Sequence, residues 1–170
     1  MHPELVLFDE DLRGPVVRFL TDQVTGDEAK AHDHLADHAS GGGSSFVAVQ
    51  DEVVGIVTVR WRSNNPALGG IPLVHQISVA AEHRGDGIAT RLMDAAENLA
   101  RAKGHPRIGI TVGLFAEYGP AQRMYARRGY VPDGRGVCRG ATPVREGETV
   151  TVDHGLLLWL IKDLDVPGDT

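Results

Sequence analysis

Residues 71–103 read IPLVHQISVAAEHRGDGIATRLMDAAENLARAK, the stretch around which the chain is organised. Its first third is apolar and β-branched. Alternation puts Leu73, His75, Ile77 and Val79 on one face of a strand, and Val74, Gln76, Ser78 and Ala80 on the other. The last third sets Ile88, Leu92, Ala95, Ala96 and Leu99 along one stripe of a helix that Gly104 ends. Between them, Arg84-Gly85-Asp86-Gly87-Ile88-Ala89 forms a tight turn. Its glycines leave the backbone open to close approach. Strand, turn and helix in that order aim free backbone amides and the positive end of a helix dipole at one place, which suits an anion and above all a phosphate. Two familiar phosphate motifs fit badly. The Lys-Ser/Thr pair of a P-loop is absent, and a dinucleotide fingerprint would need a third glycine after Gly87.

Upstream, Glu4 to Phe8 reads as a strand and Asp9 to Leu20 as a short helix. A second helix spans Asp27 to Ala39 and stops at Gly41-Gly42-Gly43. Phe46 to Gln50 and Val53 to Arg62 form a β-hairpin across Asp51-Glu52, and Ser63 to Gly70 is a loop. Downstream, Arg107 to Gly113 is a strand. Pro120 opens a helix carrying Ala121, Met124, Tyr125 and Arg128, which Gly129 ends. Tyr130 to Pro132 is a short strand and Asp133 to Gly147 a loop. Val150 to Lys162 is a last strand, interrupted near Asp153 to Gly155. Strands that alternate with helices in the middle and pair as hairpins at the ends predict a mixed α/β (α+β) sheet. One domain is expected over residues 1–165, with a short tail at 166–170.

Composition narrows the partners. With 42% hydrophobic and 24% charged residues, the chain has the make-up of a globular protein. A net charge of -6 without a long basic cluster argues against a nucleic-acid track. Cys138 is the only cysteine, so a disulfide framework within the chain is excluded and a thiolate metal cluster is not expected. His32, His34 and His38 punctuate the second helix. Only His34 and His38 share a face and no third ligand is near, so a solvated helix face is the expectation and no metal site is assigned. The N-terminus lacks the basic and apolar regions of a secretion signal, and no run approaches the ~20 apolar residues of a membrane helix. A cytoplasmic protein without a membrane partner is expected.

The turn and its surroundings closely resemble the central motif of the GNAT superfamily, the acyl-CoA-dependent N-acyltransferases. That motif, Gln/Arg-x-x-Gly-x-Gly/Ala, is matched by Arg84, Gly87 and Ala89. A second family motif, Ala-x-x-Leu/Met-Tyr followed by Gly-Phe/Tyr, is matched by Ala121, Met124, Tyr125, Gly129 and Tyr130. The element order over Glu4 to Leu164 agrees as well. One position departs: the family often has Asn three residues before the alanine, where this chain has Tyr118. The resemblance implies a mostly antiparallel sheet of about seven strands with flanking helices and splayed central strands. It implies acetyl-CoA or another acyl-CoA as donor. The pyrophosphate would rest on Arg84, Gly85, Asp86, Gly87, Ile88, Ala89 and Thr90, and the pantetheine arm would pair with the strand near Ile77, Ser78 and Val79 as an added strand does.

For chemistry, the resemblance implies transfer to a primary amine by direct attack in a ternary complex, with Tyr125 as general acid toward the departing sulfur. A free alkyl amine, with a pKa of about 10.4, must lose a proton before it attacks. His75, on the strand flanking the thioester, is the first candidate base. Glu117 is a weaker one, and a water relay is the third option. The acceptor is a small-molecule or protein amine, which no motif narrows further. Arg135 and Arg139 are available to an acidic group or solvated in a mobile loop, and Cys138 is expected to be a spectator, with a covalent acyl-cysteine route as the minor option. A homodimer is common in the family. A non-catalytic acyl-CoA sensor is the alternative reading.

Overall fold

The computed structural model describes residues 2–165, so the tail expected at 166–170 lies outside the described residues. The chain divides into two compact units, one built from residues up to Trp61 with Val74–Leu99, the other from Arg62–Leu73 with the residues from Ala100 onward.

In the first unit, β1 (Glu4–Leu7), β2 (Gly43–Gln50) and β3 (Glu52–Arg60) pair antiparallel in sequence order, and β4 (Leu73–Val79) lies beside β3. The β2–β3 connection is tight: Gln50 already pairs with Glu52, and Asp51 turns the chain with φ of 62°. The register shifts at Ala48/Val49, a bulge that leaves Val54 unmatched on β2, and its carbonyl accepts from the Ala80 amide at 2.8 Å. Strand β3 reads EVVGIVTVR and is buried over six consecutive positions, because helices cover both faces. On one face, α1 (Arg13–Leu20) and α2 (Glu28–Asp33) bring Val16, Phe19, Leu20 and Ala31 onto Val47 and Ile56. On the other, α3 (Ile88–Ala102) approaches so closely at Gly55 that a Cβ there would meet Leu92 at 3.2 Å and Ile88 at 3.3 Å.

In the second unit, β5 (Arg107–Gly113) pairs antiparallel with β9 (Leu156–Asp163). Two short strands, β6 (Val131–Pro132) and β7 (Cys138–Arg139), also pair with β9, and β8 (Thr142–Pro143) pairs with β7. Leu68, Leu73, Cys138 and Trp159 form the buried cluster. Helix α4 (Gly119–Arg127) follows a 3-10 turn at Ala116–Tyr118, and Gln122 ties it to the Gly113 carbonyl at 2.8 Å.

The mixed, mostly antiparallel sheet with flanking helices is as expected, with nine strands among the described residues rather than about seven. Four local expectations are corrected. The second helix ends at Asp33, because Leu35, Ala36 and His38 bond back to i−3 carbonyls and coil too tightly for an α-helix. The expected loop at Asp133 to Gly147 contains the β7–β8 hairpin, and the last strand starts only at Leu156. On α3 the buried stripe is Ile88, Leu92, Met93, Ala96, Glu97 and Ala100. Reading Ala95 and Leu99 as its members rotated it, because a buried glutamate interrupts the apolar pattern. Among the described residues, no helix is long and apolar enough to cross a membrane.

Candidate active site

The turn lies in the first unit, after β4. Ala81–His83 makes one 3-10 turn, and Gly85 and Gly87 follow with φ of 88° and 80°. Any other residue at those angles costs about 1–2 kcal/mol. A Cβ on either glycine would meet nothing within 4 Å, so it is backbone conformation and not crowding that demands glycine, and the space above the turn is open. The first helical hydrogen bond runs from the Arg91 amide to the Gly87 carbonyl at 3.2 Å. The amides of Ile88, Ala89 and Thr90 therefore have no helical acceptor and point out of the helix start. Arg84 is exposed beside them. An open cradle, three outward amides and a guanidinium fit the pyrophosphate of an acyl-CoA. Asp86 opposes an anion, but it is 62% exposed and lies 3.7 Å from His83. On β4, Ile77, Ser78 and Val79 supply the strand backbone, and the Gln76 side chain donates to the Ile77 carbonyl at 3.3 Å.

His75 sits at mid-strand in a polar cluster that sequence reading did not anticipate. Its ring lies 5.2 Å from that of His34. Burial first, then the Arg60 charge and His34, push its pKa down to about 4. His34 is lowered by the same burial and the same arginine, and its Nδ1 is buried without a hydrogen-bond partner. Arg60 Nε lies 3.6 Å from Asp37. Asp37 reaches His38 Nδ1 at 3.2 Å, His38 Nε2 contacts Ser45 at 2.8 Å, and Ser45 contacts Thr58 at 2.8 Å. His34 and His38 are thus side chains of a buried network in the turns after α2. Ser45 and Thr58 face each other across the β2–β3 hairpin, a pairing that no local spacing announces. Among the described residues, no group of three or more His, Cys, Asp or Glu side chains could hold a metal ion.

Tyr125 belongs to the second unit, on α4. It is 5% exposed and packs edge-on against Tyr130 at 5.9 Å. Burial, with Tyr118 nearby, pushes its pKa up to about 12, so the phenol stays protonated at every physiological pH. Glu117 lies exposed in the 3-10 turn one residue before Tyr118. The Tyr118 hydroxyl meets His154 Nδ1 at 2.7 Å, a pairing across 36 residues that spacing could not reveal. Arg135 and Arg139, open to an anion on sequence grounds, are engaged within the unit. Arg135 holds Asp133 at 2.8 Å, and Arg139 holds Asp153 at 3.0 Å and the Thr151 carbonyl. Cys138 is buried, and that burial raises its thiol pKa. The structure therefore gathers the residues expected to hold the cofactor with His75 in one unit, and Tyr125 with Glu117 in the other.

Comparison with known proteins agrees with this geometry. Residues 41–132 match the family described as "Acetyltransferase (GNAT) domain". An acetyltransferase of the GNAT family from Desulfovibrio desulfuricans is similar in structure, with a TM-score of 0.70 at 16% identity over 94% of this chain and 99% of that one. The ribosomal-protein-S18-alanine N-acetyltransferase from Escherichia coli gives 0.70 at 9% identity, covering 98% and 97%. Nourseothricin acetyltransferase gives 0.56 at 26% identity, covering 74% and 68%. No curated protein matches at the level of sequence. A family match over more than half of the chain, together with the element order and the two glycines of the turn, leads to one conclusion: the chain belongs to the GNAT family of acetyltransferases and is an acyl-CoA-dependent N-acyltransferase.

Proposed function

We propose that this enzyme transfers an acetyl or related acyl group from acyl-CoA to a primary amine, by direct attack in a ternary complex. The observation that carries the proposal is the Arg84–Thr90 turn, with two left-handed glycines under open space and three amides free of helical partners. In this reading Arg84 and the amides of Ile88, Ala89 and Thr90 hold the pyrophosphate. Gly85, Asp86 and Gly87 set the turn, and the backbone from Ile77 to Val79 pairs with the pantetheine arm. The Ile77 carbonyl already accepts from the Gln76 side chain at 3.3 Å and keeps a second lone pair for the arm.

Tyr125 serves as the acid toward the departing thiolate. A phenol at about 12 gives its proton to a thiolate of about 8.5 only uphill, by roughly 5 kcal/mol. Its first contribution is therefore a hydrogen bond to the sulfur as charge develops there. His75, lowered to about 4, is neutral throughout the physiological range and always free to accept the amine's proton, although weakly. Glu117 and a water relay remain the competing acceptors.

The acceptor is a small molecule or a protein amine. The structural relatives span both kinds by name, an antibiotic in one and a protein alanine in another. A free buried thiol at Cys138 fits a reducing compartment, in keeping with a cytoplasmic enzyme. The test is calorimetry of the purified protein with CoA, followed by thiol release from acetyl-CoA with a panel of amines. CoA binding with thiol release on at least one amine is expected. Absence of CoA binding would overturn the cofactor assignment, and binding without turnover on any amine would make the protein a sensor.

A further inference from the structure

The first unit holds a polar cluster whose charges do not balance. On β3, alternation puts Ile56, Thr58 and Arg60 on one face; Ile56 packs beneath α1 and α2, and Thr58 contacts Ser45. Arg60 therefore lies under the turns after α2, which carry His34, Asp37 and His38. Beside it runs β4, whose His75 ring meets the His34 ring at 5.2 Å. All of these side chains belong to the same unit.

Burial lowers His34, His38 and His75, which leaves Arg60 as the cation of the cluster. That cation is poorly matched. Its Nε lies 3.6 Å from Asp37 Oδ2, too far for a hydrogen bond, and is buried with no other partner. Asp37 is shared, because its Oδ1 lies 3.2 Å from His38 Nδ1. Among the described residues nothing accepts from the two Nη nitrogens either, and with the side chain 29% exposed these donors face solvent. His34 Nδ1 is also buried without a partner, and His75 makes no hydrogen bond to any described residue. At His75 the Arg60 charge outweighs that of Asp37, so the net field there is positive.

Free donors around one exposed guanidinium suit a planar monoanion. The parallel N–H groups of a guanidinium fit the two oxygens of a carboxylate. A single cation, already partly offset by Asp37, balances one negative charge better than the two of a phosphate.

We propose that this cluster binds the acceptor through a carboxylate, so that the substrate is a free amino acid and not an amine without an acid group. The inference rests on the proposed transfer to an amine beside His75. The acceptor's carboxylate takes hydrogen bonds from the Nη nitrogens of Arg60, and a ring nitrogen of neutral His34 adds another. Its amine lies at His75, on the strand whose Ile77 to Val79 backbone takes the pantetheine arm. Asp37 stays on the Nε side of the guanidinium, and its repulsion confines the carboxylate to the Nη end. Arg60 and His34 bind substrate in this scheme and move no proton.

The test compares the common protein amino acids, β-alanine and γ-aminobutyrate, each with its own carboxamide. Thiol release from acetyl-CoA gives turnover, and calorimetry on CoA-loaded protein gives affinity. The carboxamide of a short amino acid is the less basic amine and is more often neutral, which biases the comparison against the proposal. At least one acid exceeds its carboxamide by about 10–100-fold in kcat/KM and in affinity. Arg60→Gln brings that ratio close to one, chiefly through KM for the acid. Arg60→Lys, which keeps the charge without the fork, restores part of it. Carboxamides that match or surpass their acids overturn the carboxylate site, as does an acid preference that survives Arg60→Gln. Should Arg60→Gln misfold, shown by loss of CoA binding, the acid–carboxamide pairs in the unmodified protein decide alone. If no amine is turned over, the transfer reading fails, and the calorimetric pairs still decide on the carboxylate site. If only amines without an acid group are turned over, transfer stands and the carboxylate site falls.

Discussion

The Arg84–Thr90 turn and the helix of Tyr125 are built on opposite principles. The turn is exposed, made of backbone, and asks only that Gly85 and Gly87 reach positive φ. The Tyr125 region is made of aromatic side chains placed by their neighbours, with Tyr125 itself buried: Tyr118 lies over Gly113, Tyr125 packs on Tyr130, and His154 meets Phe115. Main-chain amides bind a dianionic group whatever side chains flank them, so a turn of this kind tolerates substitution at most positions. A proton donor works through one oxygen atom in a low-dielectric setting, where removing that atom removes the function.

The largest expected effect tests that contrast directly. Tyr125→Phe, which deletes one buried oxygen, lowers kcat by about 10²–10⁴-fold and leaves CoA affinity unchanged in calorimetry. A loss of affinity instead would mean that the two regions are not separable. Gly87→Val comes next. A β-branched residue at φ of 80° distorts the turn, and CoA affinity falls by about 10–100-fold while kcat at saturation holds. Unchanged affinity would show that the turn does not carry the pyrophosphate.

The third prediction concerns stability. Because the pKa of His75 drops to about 4 on folding from an ordinary 6.5, the unfolded chain binds the extra proton between those values. The stability this represents is fully present above about 6.5 and lost as pH falls through about 4, on the order of 3 kcal/mol. Urea melts of His75→Gln and the unmodified protein converge differently over that window, with the variant the less acid-sensitive. Parallel pH dependence would remove His75 from the buried network. If His75 is also the base, the acid limb of kcat/KM lies near 4 rather than 6.5. The smallest effect belongs to Asp86→Asn. Removing an exposed carboxylate from an anion-binding turn tightens CoA by a few-fold, more at low salt, because water and ions screen such a charge. No change at low salt would place Asp86 outside the field of the bound phosphates.

Much of the fold was legible because its signals are local. The 2-residue period of β4, the glycines of the turn, and the Pro120 and Gly129 bounds of α4 each depend on neighbours along the chain. Where the pattern failed, a tertiary demand had overridden it. The second helix breaks off at Asp33, after which Leu35 is fully buried and His38 contacts Ser45. The α3 stripe rotates because Glu97 is buried. The Asp133 to Gly147 segment becomes a hairpin because β7 completes the pairing of β9.

By itself, then, the sequence determined the kind of donor site this protein carries. A turn that must adopt positive φ twice before a helix can be written in adjacent residues, since backbone conformation is set locally. Only the tertiary structure decided the state of the groups proposed to handle protons. His75 is driven toward 4 by burial, by Arg60 and by His34, and Tyr125 is driven toward 12 mainly by burial. Desolvation and charge act through space, and residues distant in the chain are brought within their range only when it folds.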